Sequence, residues 1–415
     1  MGAILGAILL VKKTKPELIA GPMIQFPSPD RLVVVWEMKA PLATTTVTLI
    51  DSHGQARTTT LGQSVEAGRP GFMALCRPDS HRYEAVFDGL PAGEGYRYTI
   101  ENRRFVVWRE PIAGPFSVRT PPPRGKTFRF IAFGDSGVGS NAQSALAEVM
   151  AAQKPDLIIH GGDLNQFAGA ASDYPTIFFE PYAAMIRSIP LMPVLGNHDC
   201  ATESGRPLLD FFVLPENGPD PKWTERNFYF DFGDARFVGL DANKPQEKQA
   251  GVIAPEEMRE KVGPWLHGVL TNCNARWKIV YYHQPMYTGS NHAPEGQAYF
   301  KEAFVGVFEE CGVDLVFNGH NHLYERSAPI KGDQIVGEGQ GVVYVVTGTG
   351  GARRYPMNLP PPPYNRVYND EVLGFSCVDV SANRLELRQI GDQGQVIDDY
   401  VIEKPAGTLP ATPQH

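Results

Sequence analysis

Hydrophobic and polar positions divide the chain into two parts with different periods. Up to about residue 120 the apolar residues come in short runs alternating with polar ones and broken by Gly and Pro. Arg31–Met38 is a β-branched run carrying Trp36, and Thr44–Ile50 alternates Thr with Val and Leu. Arg82–Phe87 leads into Leu90-Pro91-Ala92-Gly93-Glu94-Gly95-Tyr96, and Phe116–Thr120 closes the region. Short strands with turn residues between them, over about 100 residues, predict an all-β sandwich. In that setting Trp36 and Tyr96 read as a core Trp and a corner Tyr, in preference to a binding face.

Pro121-Pro122-Pro123-Arg124-Gly125 is a stiff stretch and the expected boundary. Beyond it the period changes. Phe128–Phe133, Leu157–His160, Leu191–Leu195, Phe237–Leu240, Trp277–Tyr282, Val313–Phe317 and Val342–Thr347 are short apolar runs. Helix-like stretches lie between several of them, at Asn141–Gln153, Thr176–Ser188 and Gln297–Cys311. Strands alternating with helices indicate an α/β domain. The expected organisation is an N-terminal segment (1–19), the sandwich (20–120), a linker (121–126), an α/β (α+β) domain (127–404) and a Pro/Thr-rich disordered tail (405–415).

Five polar motifs follow the apolar runs of the second part. They are Gly134-Asp135-Ser136-Gly137, Gly162-Asp163, Gly196-Asn197-His198-Asp199, His283, and Gly319-His320-Asn321-His322. In open α/β sheets ligands bind beyond the carboxyl ends of strands, so these residues are expected along one edge of the sheet. Carboxylates, an amide oxygen and imidazoles are the donor mixture of a two-metal hydrolase. A lone Asp after Gly is usually a turn residue, and a His pair can be a polar surface loop. Scattered turn residues would not share this placement five times in order. His160, at a strand end, reads as a satisfied core histidine, and Arg353-Arg354 as a solvated turn.

Composition then narrows the chemistry. A formal net charge of -8 leaves no electrostatic basis for broad binding to a nucleic-acid backbone. An anionic substrate therefore needs a local positive centre, which metal ions would provide. The five cysteines are odd in number and lack CxxC spacing, which argues against a zinc ribbon. They read as buried thiols, with a Cys273–Cys311 bridge left open. Ala3–Leu10 is apolar but too short to span a bilayer, and Lys12-Lys13 follow it. It reads as the stump of an export signal or anchor, a first strand, or an added remnant. No other run suggests a membrane span.

Together the five blocks resemble those of the calcineurin-like metallophosphoesterases. The leading sandwich resembles a fibronectin type III domain and points to the purple acid phosphatase-like branch. Gly319–Arg326 (GHNHLYER) and Thr347–Gly351 (TGTGG) extend the likeness. The resemblance implies two metal ions, Fe, Zn or Mn, with Asp163 bridging them. Asp135 and His322 would hold one ion, and Asn197, His283 and His320 the other. A water between the ions would attack phosphorus. A small phosphorylated substrate and an extracytoplasmic location follow from the same likeness; no nucleic-acid partner is expected. The oligomeric state stays open.

Two further histidines are candidates for the chemistry. His198 follows Asn197, so it faces the cleft, and Asp199 is placed to orient it. His292 lies nine residues after His283, a spacing at which the purple branch has a substrate-contacting histidine. Either would stabilise phosphoryl oxygens or protonate the leaving alkoxide.

The chain departs from that branch at one position. The branch has a tyrosine three residues after the bridging aspartate, whose phenolate binds ferric iron; here Gln166 stands there. Other branches have a histidine two residues after the first aspartate; here Gly137 stands there. Asn165, Gln166 or water is left to complete the first site. The missing phenolate argues against an Fe(III)–tyrosinate centre and for Mn(II), Fe(II) or Zn(II). The expected activity is phosphoester hydrolysis, most simply of monoesters. A phosphodiesterase or nucleotide pyrophosphatase on the same centre is the alternative. A non-catalytic binding or adhesion protein with a degenerate metal site is the reading from another class.

Overall fold

The computed structural model describes residues 17–42, 44–61, 80–105, 108–243, 253–290 and 297–405. The apolar run Ala3–Leu10, Cys76, His292 and the segment 406–415 lie outside the described residues.

Among the described residues seven strands form the first part: β1 (Leu18–Ser28), β2 (Arg31–Met38), β3 (Thr45–Asp51), β4 (Ala56–Leu61), β5 (His81–Phe87), β6 (Gly95–Phe105) and β7 (Trp108–Arg119). They pair antiparallel in a three-stranded sheet, β1-β2-β5, and a four-stranded sheet, β4-β3-β6-β7. Alternation in β3 and β5 sends Val47, Leu49, Tyr83 and Ala85 inward, where they meet Val34 and Trp36 of β2. Trp36 is fully buried and stacks on Tyr83 at 5.4 Å. Tyr96 is also in this core.

The rest of the described chain builds two larger sheets. Their strands are β8 (Phe128–Phe133), β9 (Leu157–His160), β10 (Leu191–Pro193), β11 (Phe228–Phe232), β12 (Ala235–Gly239), β13 (Trp277–Tyr281), β14 (Leu315–Asn318), β15 (Tyr324–Ser327), β18 (Val343–Thr347), β19 (Asn365–Asn369), β20 (Gly374–Val380), β21 (Arg384–Gly391) and β22 (Val396–Glu403), while β16 (Ile330–Lys331) and β17 (Gln334–Ile335) pair as a separate hairpin. One sheet runs β10-β9-β8-β20-β21-β22; the other runs β11-β12-β13-β14-β18-β15-β19. The pairs β8–β9 and β9–β10 are parallel, as are β12–β13, β13–β14 and β14–β18.

The sheets face each other through aromatic contacts. Phe130 of β8 meets Phe237 of β12 at 5.2 Å and Phe317 of β14 at 5.9 Å, edge to face in both cases. Helices cover the outer faces. Helix α1 (Asn141–Ala152) and α2 (Glu180–Ile186) lie in one core cluster, α3 (Gly263–Thr271) and α4 (Gln297–Cys311) in another. The β13 run shows why its residues past Lys278 read as continuous apolar sequence. Ile279 and Tyr281 belong to the inter-sheet core, while Val280 and Tyr282 pack under the helices.

The Pro-rich connector is tied down. Gly125 N donates to Asp234 Oδ2 at 2.8 Å, and Arg124 pairs with Asp234 Oδ1 at 3.3 Å. The first part also bonds directly to the second: Gln25 Nε2 donates to Leu191 O (2.7 Å), and Tyr98 Oη to Arg187 O (2.7 Å). Cys200, Cys273, Cys311 and Cys377 are free thiols, so Cys273 and Cys311 are not bridged. Among the described residues no helix is long and apolar enough to cross a membrane.

Candidate metal centre

The polar motifs meet at the carboxyl ends of strands from both large sheets. Asp135 follows β8, Asp163 follows β9, and Asn197 follows β10. His283 follows β13, and His320 and His322 follow β14. The expectation of one sheet edge is corrected here: β8 to β10 belong to one sheet, β13 and β14 to the other. The site lies where the two sheets close on each other.

The local backbone is strained at the donors themselves. Asp135, Asp163 and His320 all have left-handed φ, at 59°, 57° and 67°. A non-Gly residue there costs on the order of 1–3 kcal/mol and persists only where its surroundings hold it. Cross-turn bonds do so: Asp135 N donates to Gly162 O at 3.0 Å, and His320 N to Asp135 Oδ2 at 2.8 Å. Gly196 is required by proximity, because a Cβ there would lie 2.0 Å from Asp163 Oδ1.

Four donor atoms converge on one side. His283 Nε2 is 2.9 Å from Asn197 Oδ1 and 3.3 Å from Asp163 Oδ2. His320 Nδ1 is 2.9 Å from Asn197 Oδ1 and 3.3 Å from His283 Nε2. The other nitrogen of His283, Nδ1, faces Gly161 O at 2.8 Å, so it carries the proton and leaves Nε2 with a lone pair when the ring is neutral. On the other side His322 Nδ1 faces Arg353 O at 2.7 Å, and its Nε2 lies 3.4 Å from Asp135 Oδ1. Ligand atoms of Asp135, Asp163 and His283 all lie within 4.8 Å of one another, and all three residues are buried. Lone pairs turned towards each other in a buried site need a cation or a proton between them.

The electrostatics carry the same signature. Burial alone would lower the His283 pKa, but the Asp163 charge and the hydrogen bond between them raise it. Burial alone would raise Asp163, and His283 holds it low instead. His322 is raised against the pull of burial by Asp135. His160, by contrast, is pushed down to about 3 by burial, then by His283. It is neutral, 2.9 Å from Ser136 Oγ and accepting from Gly162 N, the core histidine expected.

Asp199 is not the orienter of His198. Its carboxylate accepts from Leu164 N, Asn165 N, Gly196 N and Tyr174 Oη. Burial, followed by the nearby Asp163 charge, raises its pKa. It is a strut under the Asp163 and Asn197 turns. Three backbone N–H groups of the neighbouring turns and one phenol occupy its two oxygens, and the His198 ring is not among its partners. The His198 ring is instead held by Phe167 O, 3.0 Å from Nδ1, while His198 N donates to Asp163 Oδ1 at 2.9 Å.

Several contributors had no signal in the sequence. Tyr355 stacks on the His322 ring, 4.1 Å between centroids and 12° between planes. Gly161 O, Arg353 O and Phe167 O orient three histidines, and a backbone carbonyl has no residue type to betray it. Arg353 and Arg354 are exposed, as expected of a turn, and it is the Arg353 carbonyl that faces the site. Glu325, in the GHNHLYER block, accepts from Thr288 Oγ1 and Gly289 N at 2.5 and 2.7 Å, while Arg326 grips Asp398.

Residues 128–324 match the family model for calcineurin-like phosphoesterase, and residues 341–399 match that for iron/zinc purple acid phosphatase-like protein C. A nucleotide pyrophosphatase/phosphodiesterase from Hordeum vulgare is 26% identical over 72% of this chain and 89% of its own length. A probable inactive purple acid phosphatase 27 from Arabidopsis thaliana is 24% identical over 84% of this chain, which spans 62% of that protein. The structure of purple acid phosphatase PPD1 from yellow lupin seeds superposes with a TM-score of 0.75 at 18% identity, covering 95% of this chain and 77% of that one. That likeness shows a shared fold.

Proposed function

We propose, from the matches of residues 128–324 and 341–399 to the calcineurin-like phosphoesterase and purple acid phosphatase-like C family models, that this chain is a member of that family and a dinuclear metal-dependent phosphoester hydrolase, acting most simply on phosphomonoesters. One observation carries the reading: Asp163 Oδ2, Asn197 Oδ1, His283 Nε2 and His320 Nδ1 turn their lone pairs onto one another while the outer nitrogen of His283 is occupied by Gly161 O. The donor set fits borderline divalent cations. Asp163 would bridge two ions, Asp135 and His322 would hold one, and Asn197, His283 and His320 the other. When bound, such ions supply Lewis acidity towards phosphoryl oxygens and an activated water.

The chain's own residues do the rest. Strained turns hold the donors in place before substrate arrives, so little reorganisation is left for the reaction. Hydrolysis adds water across the P–O bond: that bond breaks, and the leaving oxygen takes a proton. His198 supplies it. Its Nδ1 is engaged by Phe167 O, which leaves Nε2 as the nitrogen for the substrate. His292, nine residues after His283, is a second contact in this proposal. The seven strands described in the first part, in their three-plus-four arrangement, support a fibronectin type III-like reading and domain limits of 20–120 and 127–404. An extracytoplasmic location belongs to the same proposal, and cell fractionation would test it.

The barley relative's name supplies the alternative substrate class, a phosphodiester or nucleotide pyrophosphate. The decisive experiment is metal analysis of the purified protein, followed by assays with p-nitrophenyl phosphate and bis(p-nitrophenyl) phosphate. Two bound ions with faster turnover of the monoester are expected. Two ions with no turnover of either ester would overturn the catalytic reading and leave a binding protein.

A further inference from the structure

We propose that the side-chain amide of Gln166 is the fourth protein donor of the metal position held by Asp135, Asp163 and His322, and that this position is built for a divalent cation of the Mn(II) type. The inference rests on the two-metal reading above and specifies one of its two positions. The position on the other side has four donors: Asp163, Asn197, His283 and His320. The position beside Asp135 Oδ1 and His322 Nε2 has three, with Asp163 shared.

The neighbouring side chains decide where a fourth can come from. Ser136 Oγ is engaged with His160 Nε2 at 2.9 Å. Asn165 is turned away, its Oδ1 accepting from Phe167 N (2.8 Å) and its Nδ2 donating to Asp173 Oδ2 (3.3 Å). Gly137 has no side chain and has no room for one, because a Cβ would lie 1.8 Å from Leu164 O. Tyr355 is stacked flat against the His322 ring. Its ring covers the face of the imidazole, whereas a cation would be held by the lone pair at the edge of that ring.

Gln166 remains. Its backbone N donates to Gly137 O at 2.9 Å, which fixes the turn. Its amide Nε2 lies 3.4 Å from Asp135 Oδ1, facing the same carboxylate oxygen as His322 Nε2. The two ends of an amide exchange by a half-turn about its last bond. Without a cation the NH2 end suits the carboxylate; with one, the oxygen end does.

Donor chemistry then sets the ion. This position offers oxygen from Asp135, Asp163 and Gln166 and one imidazole nitrogen, a set that suits Mn(II) better than softer ions. Of all the donors only Asp135 and Asp163 carry charge. Two divalent ions with two carboxylates leave a double positive charge, which a phosphomonoester dianion neutralises. A trivalent ion beside a neutral amide would leave an excess buried charge.

The test uses the full chain, stripped with chelator and titrated with Mn(II), free ion being read by electron paramagnetic resonance. Wild type should bind two ions. Gln166→Ala and the near-isosteric Gln166→Met should keep one site unchanged and weaken the other by roughly tenfold or more, as loss of a ligand-shell contact does. Gln166→Glu should restore binding. Metal-free melting temperatures should not move, since Gln166 is only half-buried. Two unchanged sites in both the Ala and Met variants would overturn the assignment. Wild type that takes up Fe(III) in preference to Mn(II) would overturn the divalent claim. Wild type that binds fewer than two ions would overturn the two-metal reading itself, and this inference with it.

Discussion

His283 and Asn197 meet at 2.9 Å through two atoms that both accept hydrogen bonds, the imidazole Nε2 and the amide Oδ1. Gly161 O claims the proton-bearing nitrogen of His283, so the contact makes sense around a shared cation or proton. That relationship spans the two sheets, and the predictions below follow from it and its surroundings.

Asp163 Oδ2 lies against His283, its Oδ1 accepts from His198 N, and one of its carboxylate oxygens lies within 4.8 Å of one of Asp135. Asp163→Asn halves the anionic charge of the site. We expect loss of the dinuclear metal content and a fall in turnover of roughly 10³-fold or more. Metal analysis and a phosphatase assay on the same sample check it, and near-normal rate with two ions bound would rule out the bridging role.

His198→Ala should leave metal content unchanged, because the contact to Asp163 comes from the His198 backbone N–H, which alanine keeps. The loss should depend on the leaving group. An alkyl phosphate needs its departing oxygen protonated and should slow by about 10²-fold or more, whereas a nitrophenyl ester should slow less. Equal losses on both substrates would mean that the ring stabilises charge and transfers no proton.

Glycine position matters through what its missing Cβ would strike. Gly196→Ala forces a methyl to within 2.0 Å of Asp163 Oδ1, so it should abolish tight binding of both metals. Gly268 in α3 has nothing within 4 Å of a built Cβ. Gly268→Ala should instead stabilise the protein by about 0.5–1 kcal/mol through helix propensity. Thermal melts and metal analysis of the two variants give opposite results if the packing is as described.

Glu225 provides the pH test. Burial, partly offset by its bond from Leu214 N, holds its carboxyl up at about 7 against an ordinary 4.5. The native state therefore binds its proton more tightly than the unfolded chain does. The stability this contributes is complete below about pH 4.5 and is lost as pH rises through 7. Glu225→Gln, which keeps the acceptor for Leu214, should be more stable than wild type at pH 8 by about 2 kcal/mol, with little difference at pH 4. Equal denaturant midpoints at pH 8 would contradict the burial argument.

Much of the site could be read from the chain because strands buried on both faces are written as nearly continuous apolar runs, each of the two below holding a single basic residue, Arg129 or Lys278. Phe128–Phe133 and Trp277–Tyr281 are such runs, and the Gly-Asp, Gly-Asn and Gly-His motifs that follow them are local. The later strands were harder to read. β21 and β22 are amphipathic, with exposed charges such as Arg384 and Glu403 paired across the sheet edge, so their apolar content is diluted. Helix α3 opens on Gly263-Pro264, which reads as a turn until Leu266 and Leu270 find the core.

Residue type and order therefore determined the candidate donor set: two carboxylates, an amide and three imidazoles at strand ends, together with Gln166 at the position three residues after Asp163. These are properties of single residues and their near neighbours. Tertiary structure alone decided that the donors come from two sheets, that Asp199 spends its carboxylate on backbone N–H groups, and that Phe167 O, Gly161 O and Arg353 O set the histidine rings. Those outcomes depend on which backbone group lies within about 3 Å of which atom. Only the closure of one sheet on the other fixes that distance, and every residue carries the same carbonyl.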